Sequence, residues 1–119
     1  MKFDAMAAAV DWLDTYRSGD IEAILNMYSD DAVTECACEG ISIAGRDGLR
    51  AYWERRIKSH PASDLNDLRP CTNGATISYL ARNGIVSATL EFDATGRIVF
   101  LRCGPSGAAG SRPGLMDVA

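Results

Sequence analysis

Cys36 pairs a reactive side chain with a place that could use it. A thiolate is a strong nucleophile and a usable base, but it needs a nearby cation or helix N-terminus to lower its pKa. The run RDGLRAYWERRIK, Arg46 to Lys58, supplies arginines, and heptad counting makes Arg56 the best placed of them. Tyr16 and Tyr79 carry hydroxyls that must find partners once buried, in protein, water or ligand. Cys36, Tyr16 and Tyr79 are therefore the candidates for proton or covalent chemistry. A metal site is not expected. Cys36 and Cys38 form a C-x-C whose sulfurs share one strand face, and Cys103 could join them. No C-x-x-C pair is present, however, and the one histidine, His60, ends a helix beside Pro61. Asp30 and Asp31 do not make an acid pair, because adjacent residues do not converge on one site; they read as solvated or capping.

These residues sit in a chain of 119, enough for one core and one domain. Hydrophobic residues make up 47% and charged residues 24%, so the chain lies in the globular range and away from disorder. A formal charge of -4 argues against a nucleic-acid partner. Asp4, Asp11 and Asp14 interrupt the N-terminal apolar residues, and no run reaches membrane-spanning length. A soluble, cytoplasmic protein is expected, with Cys36, Cys38, Cys71 and Cys103 reduced and buried.

Periodicity supplies the elements that must position the candidates. Met6, Val10 and Leu13, with Trp12 and Tyr16 as a second stripe, predict a helix from Phe3 to about Ser18. Gly19 suits its left-handed cap, and Asp20 can cap the next helix. That helix carries Ile21, Ile24, Leu25 and Tyr28 and ends at Ser29, Asp30 and Asp31. VTECACE then alternates, with Thr34, Cys36 and Cys38 inward and Glu35 and Glu39 outward. After a turn at Glu39 and Gly40 and the segment ISIAG, a third helix from about Asp47 to Ser59 turns Leu49, Tyr52, Trp53 and Ile57 inward. From Asp64 onward strands and turns follow.

Asn83-Gly84 signals a type I′ hairpin that would set Ala81 opposite Val86, Tyr79 opposite Ala88 and Ile77 opposite Leu90. One face is then apolar, and the other carries Thr76, Ser78, Ser87 and Thr89. A four-residue loop at DATG, Asp93 to Gly96, would add Val99, Leu101 and Cys103 to the apolar face. Residues 104–119, rich in Gly, Ala, Ser and Pro, read as a flexible tail behind a single domain of residues 1–103.

The layout is α+β. SGDIEAILNMYSDDAVTE, followed by IAGRDGLRAYW and later EFDATGRI, resembles the nuclear transport factor 2-like superfamily, in its SnoaL-like and ketosteroid-isomerase-like branch. The resemblance covers roughly Val10 to Cys103. It implies a cone-shaped, curved, mostly antiparallel sheet wrapped around three helices of the N-terminal half, with a ligand cavity between helices and sheet. It also implies a homodimer through the outer sheet face, where Leu80 and Ile85 lie among Ser78, Ser87 and Thr89. The isomerases' catalytic groups do not carry over. Their tyrosine on the first helix falls on Trp12 and their proton-shuttling aspartate on Cys36. Their protonated aspartate falls on Ala88, and a further tyrosine on Trp53.

Strand alternation, turn counting and the resemblance agree in placing Cys36, Ala88, Leu101 and Cys103 against that cavity, and its wall should also include Trp12, Tyr16, Trp53 and Tyr79. The wall lacks Asp, Glu and His. The expected function is therefore binding of a small hydrophobic or aromatic molecule with one polar end, without a cofactor and with no assigned reaction. The alternatives are an isomerase, cyclase or dehydratase of a small cyclic compound using Tyr16, Tyr79 or Cys36, and a protein-interaction scaffold.

Overall fold

A computed structural model describes residues 3–37, 40–82 and 84–105. The first helix, α1 (Ala5–Ser18), begins where the Asp4 carboxylate accepts the Met6 and Ala7 backbone N–H groups. It stops at Gly19, whose φ of 75° is left-handed. Ala9, Trp12, Leu13 and Tyr16 form its buried stripe, and Met6 is exposed, so the inward face is rotated from the expected one. Asp20 caps α2 (Ile21–Leu25) through the Ala23 N–H. The expected last turn of that helix belongs instead to a strand. Tyr28 opens β1 (Tyr28–Cys36), and Asp30 and Asp31 lie exposed along it. A helix pattern of four apolar residues cannot be told from a short helix followed by a strand.

β1 pairs antiparallel with β2 (Ile41–Ala44), and Ala32, Thr34 and Cys36 point inward as alternation requires. Glu35 takes the opposite face and pairs with Arg102 at 3.1 Å. α3 (Arg46–Ser59) buries Leu49, Tyr52, Trp53 and Arg56; Ile57 is only half-buried. β3 (Ala62–Cys71), β4 (Gly74–Ala81), β5 (Gly84–Phe92) and β6 (Ile98–Pro105) complete a six-stranded sheet of order β2-β1-β6-β5-β4-β3. Every neighbouring pair is antiparallel except β1 and β6. α1 lies over β3 and β4, and α3 over β1 and β2, so three helices pack on one face of a mostly antiparallel sheet.

The hairpin register differs from the expected one. Gly84 joins the ladder opposite Ala81, so Tyr79 faces Val86 and Ile77 faces Ala88. Each partner moves by two residues, which preserves the side of every side chain. Ile77, Tyr79, Val86, Ala88 and Leu90 are accordingly buried, while Thr76 faces Thr89 and Ser78 faces Ser87 on the outer side. At the next turn a bulge changes one residue. Phe92 pairs with Ile98 and Glu91 with Phe100, leaving Val99 as the extra residue, so Ile98 takes its place in the core beside Leu101 and Cys103. Gly104 and Pro105 continue β6, and residues 106–119, the rest of the expected tail, lie outside the described residues, as do Cys38, Glu39 and Asn83.

Candidate functional site

All eight expected wall residues are buried, none more than 3% exposed. α1 contributes Trp12 and Tyr16 one turn apart, and α3 contributes Trp53. The sheet contributes Cys36 from β1, Tyr79 from β4, Ala88 from β5, and Leu101 and Cys103 from β6. The rings meet edge to face, the arrangement their quadrupoles favour. Trp53 lies 4.8 Å from Tyr16 and 6.0 Å from Trp12, and Tyr79 lies 5.5 Å from Tyr16 and 5.9 Å from Trp12, centroid to centroid. Tyr52 extends the cluster from α3, 5.3 Å from Trp53.

A cation stands among these rings. Arg56 is 1% exposed; its Nε donates to the Tyr16 hydroxyl at 3.3 Å and its Nη1 to the Cys36 sulfur at 3.5 Å. The arginine that could supply a cation to Cys36 thus stands beside it. Burial works against the charged guanidinium, but Tyr52, Tyr79, Tyr16 and Cys103 around it more than offset that, so Arg56 stays charged. The Tyr16 hydroxyl in turn donates to the His60 carbonyl, tying the end of α3 to α1. Tyr52 places its hydroxyl 3.7 Å from the Cys103 sulfur. The Cys103 thiol is pushed up, first by its hydrogen bond with Cys36, then by burial and by charge on Cys36.

A second polar group meets Trp12. The Trp12 Nε1 donates to the Tyr28 hydroxyl at 3.4 Å. Trp53 Nε1 and Thr34 Oγ1 also approach that hydroxyl, yet neither reaches hydrogen-bond geometry, and both are buried without a hydrogen-bond partner among the described residues. Burial raises the pKa of Tyr28 despite these neighbours, and it raises those of Tyr16, Tyr52 and Tyr79 as well.

Tyr28, Thr34, Tyr52 and Arg56 adjoin this cluster, and the eight expected wall residues omit them. Arg56 was legible: Leu49, Tyr52, Trp53 and Arg56 stand at i, i+3, i+4 and i+7, so the arginine occupies the fourth place of an apolar stripe. Tyr28 was hidden by its reading as helix. Among the described residues, pockets of about 340, 450 and 350 Å³ open on the surface, and of the eight expected wall residues only Cys36 lines one of these. Among the described residues no three His, Cys, Asp or Glu side chains gather as metal ligands, and no helix is long and apolar enough to cross a membrane.

With this geometry in place, comparison with known proteins gives two matches in kind. A family model described as a SnoaL-like domain matches residues 9–104. Among 349 matching solved chains is the crystal structure of a SnoaL-like protein of unknown function from Burkholderia thailandensis. It is 20% identical, with a TM-score of 0.74 over 87% of this chain and 95% of that one. Identity at that level speaks for the fold, and the fold does not select a function. No curated protein matches the chain.

Proposed function

The chain belongs to the SnoaL-like domain family, and from that premise we propose that it binds a small, mostly apolar, cyclic or aromatic molecule between its helices and its sheet. The ligand inserts among Trp12, Tyr16, Trp53 and Tyr79, beside Cys36, Ala88, Leu101 and Cys103, and one of its oxygens takes hydrogen bonds from the interior. The observation that carries this reading is the pair of donors, Trp53 Nε1 and Thr34 Oγ1, that find no partner among the described residues in an interior walled by aromatic rings. An unpaired buried donor costs about 1–3 kcal/mol, and an acceptor oxygen on a ligand removes that cost. Indole and phenol rings supply the apolar contact area.

Thermal-shift screening against steroids, terpenoids, aromatic acids and polyketide-like compounds tests the proposal. At least one compound should stabilise the protein, and Trp53→Phe should weaken a ketone more than the matching hydrocarbon. A panel without a single stabilising compound sinks the reading.

One observation favours a second reading, an isomerase, cyclase or dehydratase: the Arg56 Nη1 at 3.5 Å from Cys36 Sγ supplies the cation that a functional thiolate needs. There Cys36, Tyr16 or Tyr79 moves the proton. Rapid alkylation of Cys36 at neutral pH, and loss of any turnover in Cys36→Ser, are the expected results. A thiol that alkylates only on unfolding removes it.

The proposed macromolecular partner is a second copy of the chain. Leu80 and Ile85 face each other across β4 and β5, each 37% exposed on the outer side of the sheet, with small hydroxyl residues around them.

A further inference from the structure

Two thiols of the core stand on neighbouring strands at the same level. Cys36 on β1 is the register partner of Cys103 on β6, and both are buried thiols. Strands in a sheet run about 4.8 Å apart, inside the Cα separation of about 4.4–6.8 Å that a disulfide spans. The surroundings of the two differ. Cys36 has the Arg56 guanidinium at 3.5 Å, whereas Cys103 has the Tyr52 hydroxyl at 3.7 Å. Access differs too. Cys36 lines a pocket of about 340 Å³ with Ala37, Ile41, Ser42 and Arg102, at the end of the sheet where β1, β2 and β6 meet. Cys71, by contrast, is exposed at the end of β3, away from this pair.

We propose that Cys36 and Cys103 are a peroxide-responsive dithiol, in which Cys36 is oxidised first and Cys103 resolves it to an intramolecular disulfide. In the first step the Cys36 thiolate attacks one oxygen of hydrogen peroxide. The S–O bond forms, the O–O bond breaks, and the departing hydroxide takes a proton to become water. Sulfur loses two electrons and the peroxide gains them, leaving a sulfenic acid on Cys36. In the second step the Cys103 sulfur attacks the Cys36 sulfur. The S–S bond forms, the S–O bond breaks, and the hydroxide leaves with the Cys103 proton as a second water. Two thiols and one peroxide give one disulfide and two waters.

The order of the two thiols follows from their neighbours. The guanidinium stabilises negative charge on Cys36, and that charge, the hydrogen bond between the thiols and burial all push the Cys103 thiol up. Cys103 is thus the protonated partner that waits. Bridging the two would also take from Arg56 the sulfur it now donates to and tie β1 covalently to β6 beside the aromatic cluster. Oxidation would then alter the proposed ligand site, although the thiol chemistry does not depend on a ligand being bound.

The experiment uses the full chain carrying Cys38→Ser and Cys71→Ser, so that Cys36 and Cys103 are the only thiols. After treatment with hydrogen peroxide, the intact mass should fall by two hydrogens. Neither thiol should then alkylate after denaturation, and dithiothreitol should restore both. Adding Cys103→Ser should stop the reaction at a sulfenic acid on Cys36 that dimedone traps. Arg56→Gln should slow oxidation about tenfold or more, with Arg56→Lys recovering part of the rate. The mass and dimedone readings stand even if the arginine variants do not fold. An unchanged mass at peroxide levels that oxidise glutathione would overturn the proposal. So would a bridge that forms between two chains, or dimedone found on Cys103 rather than Cys36.

Discussion

Raising the pH should unfold this protein in one cooperative step, and the size of the effect follows from the core. All four tyrosines of the chain, Tyr16, Tyr28, Tyr52 and Tyr79, are no more than 3% exposed, and burial is the first cause raising the pKa of each. Cys103 is raised as well, chiefly by its bond to Cys36 and by burial. A group whose pKa is higher in the folded state keeps its proton there after the unfolded chain has released it. Its contribution is therefore fully present below the unfolded pKa and is lost as the pH rises above it. With unfolded values near 10 for tyrosine and 8.5 for cysteine, Tyr28 and Tyr52 each forfeit about 1.4 kcal/mol by pH 11 and Cys103 about 3, and Tyr16 and Tyr79 act in the same direction. Tyr28, Tyr52 and Cys103 together remove on the order of 6 kcal/mol, comparable to the whole stability of a small domain. Phenolate absorbance and far-ultraviolet circular dichroism, followed together, should change in the same narrow interval around pH 11. Tyr52→Phe should flatten the pH dependence of stability by about one proton. Tyrosines that titrate gradually around their ordinary value of about 10, with circular dichroism still native, would refute the reasoning.

Gly74→Ala should lower stability by about 3 kcal/mol, because a Cβ there would stand 1.8 Å from the Leu90 carbonyl oxygen and force β4 from β5 at the start of their pairing. Urea unfolding would read it, and a loss under about 1 kcal/mol would contradict the packing at that strand end. Asp20→Ala removes the cap on the Ala23 N–H and should cost about 1 kcal/mol by the same measurement. Light scattering at micromolar concentration should give twice the chain mass, and Leu80→Lys should shift it toward monomer; a wild-type monomer would refute the dimer and leave the outer face to another protein.

The helix corner at Gly19 and Asp20 was legible because caps are short-range chemistry: a left-handed glycine and a carboxylate two or three residues before free N–H groups. The apolar face of the hairpin was legible even though its register was displaced, since a shift of two residues returns every side chain to the same side. Val99 was not legible in the same way, because a bulge shifts by one and exchanges Val99 for Ile98 in the core. Arg56 shows the limit of charge as a guide. An arginine by its type alone belongs in solvent, and helical spacing alone points this one inward. The edge-to-face contacts, the unpaired Trp53 and Thr34 donors and the level pairing of Cys36 with Cys103 depend on neighbours far apart in the chain. No local pattern encodes them.

The place of β6 between β1 and β5 has a consequence for how the protein is made. β3, β4 and β5 follow one another as a meander and can pair as soon as they leave the ribosome, whereas, among the described residues, β1 and β2 meet the rest of the sheet only through β6. About seventy residues separate each β1 residue from its partner on β6, as Cys36 from Cys103, so this joint closes a long loop and forms late. Until Leu101 arrives, the nascent chain holds two separate pieces of sheet, each with an open edge that another polypeptide could occupy. The final strand is therefore the step of synthesis at which chaperone protection should matter most, and a chain truncated before Ile98 leaves that edge uncovered for good.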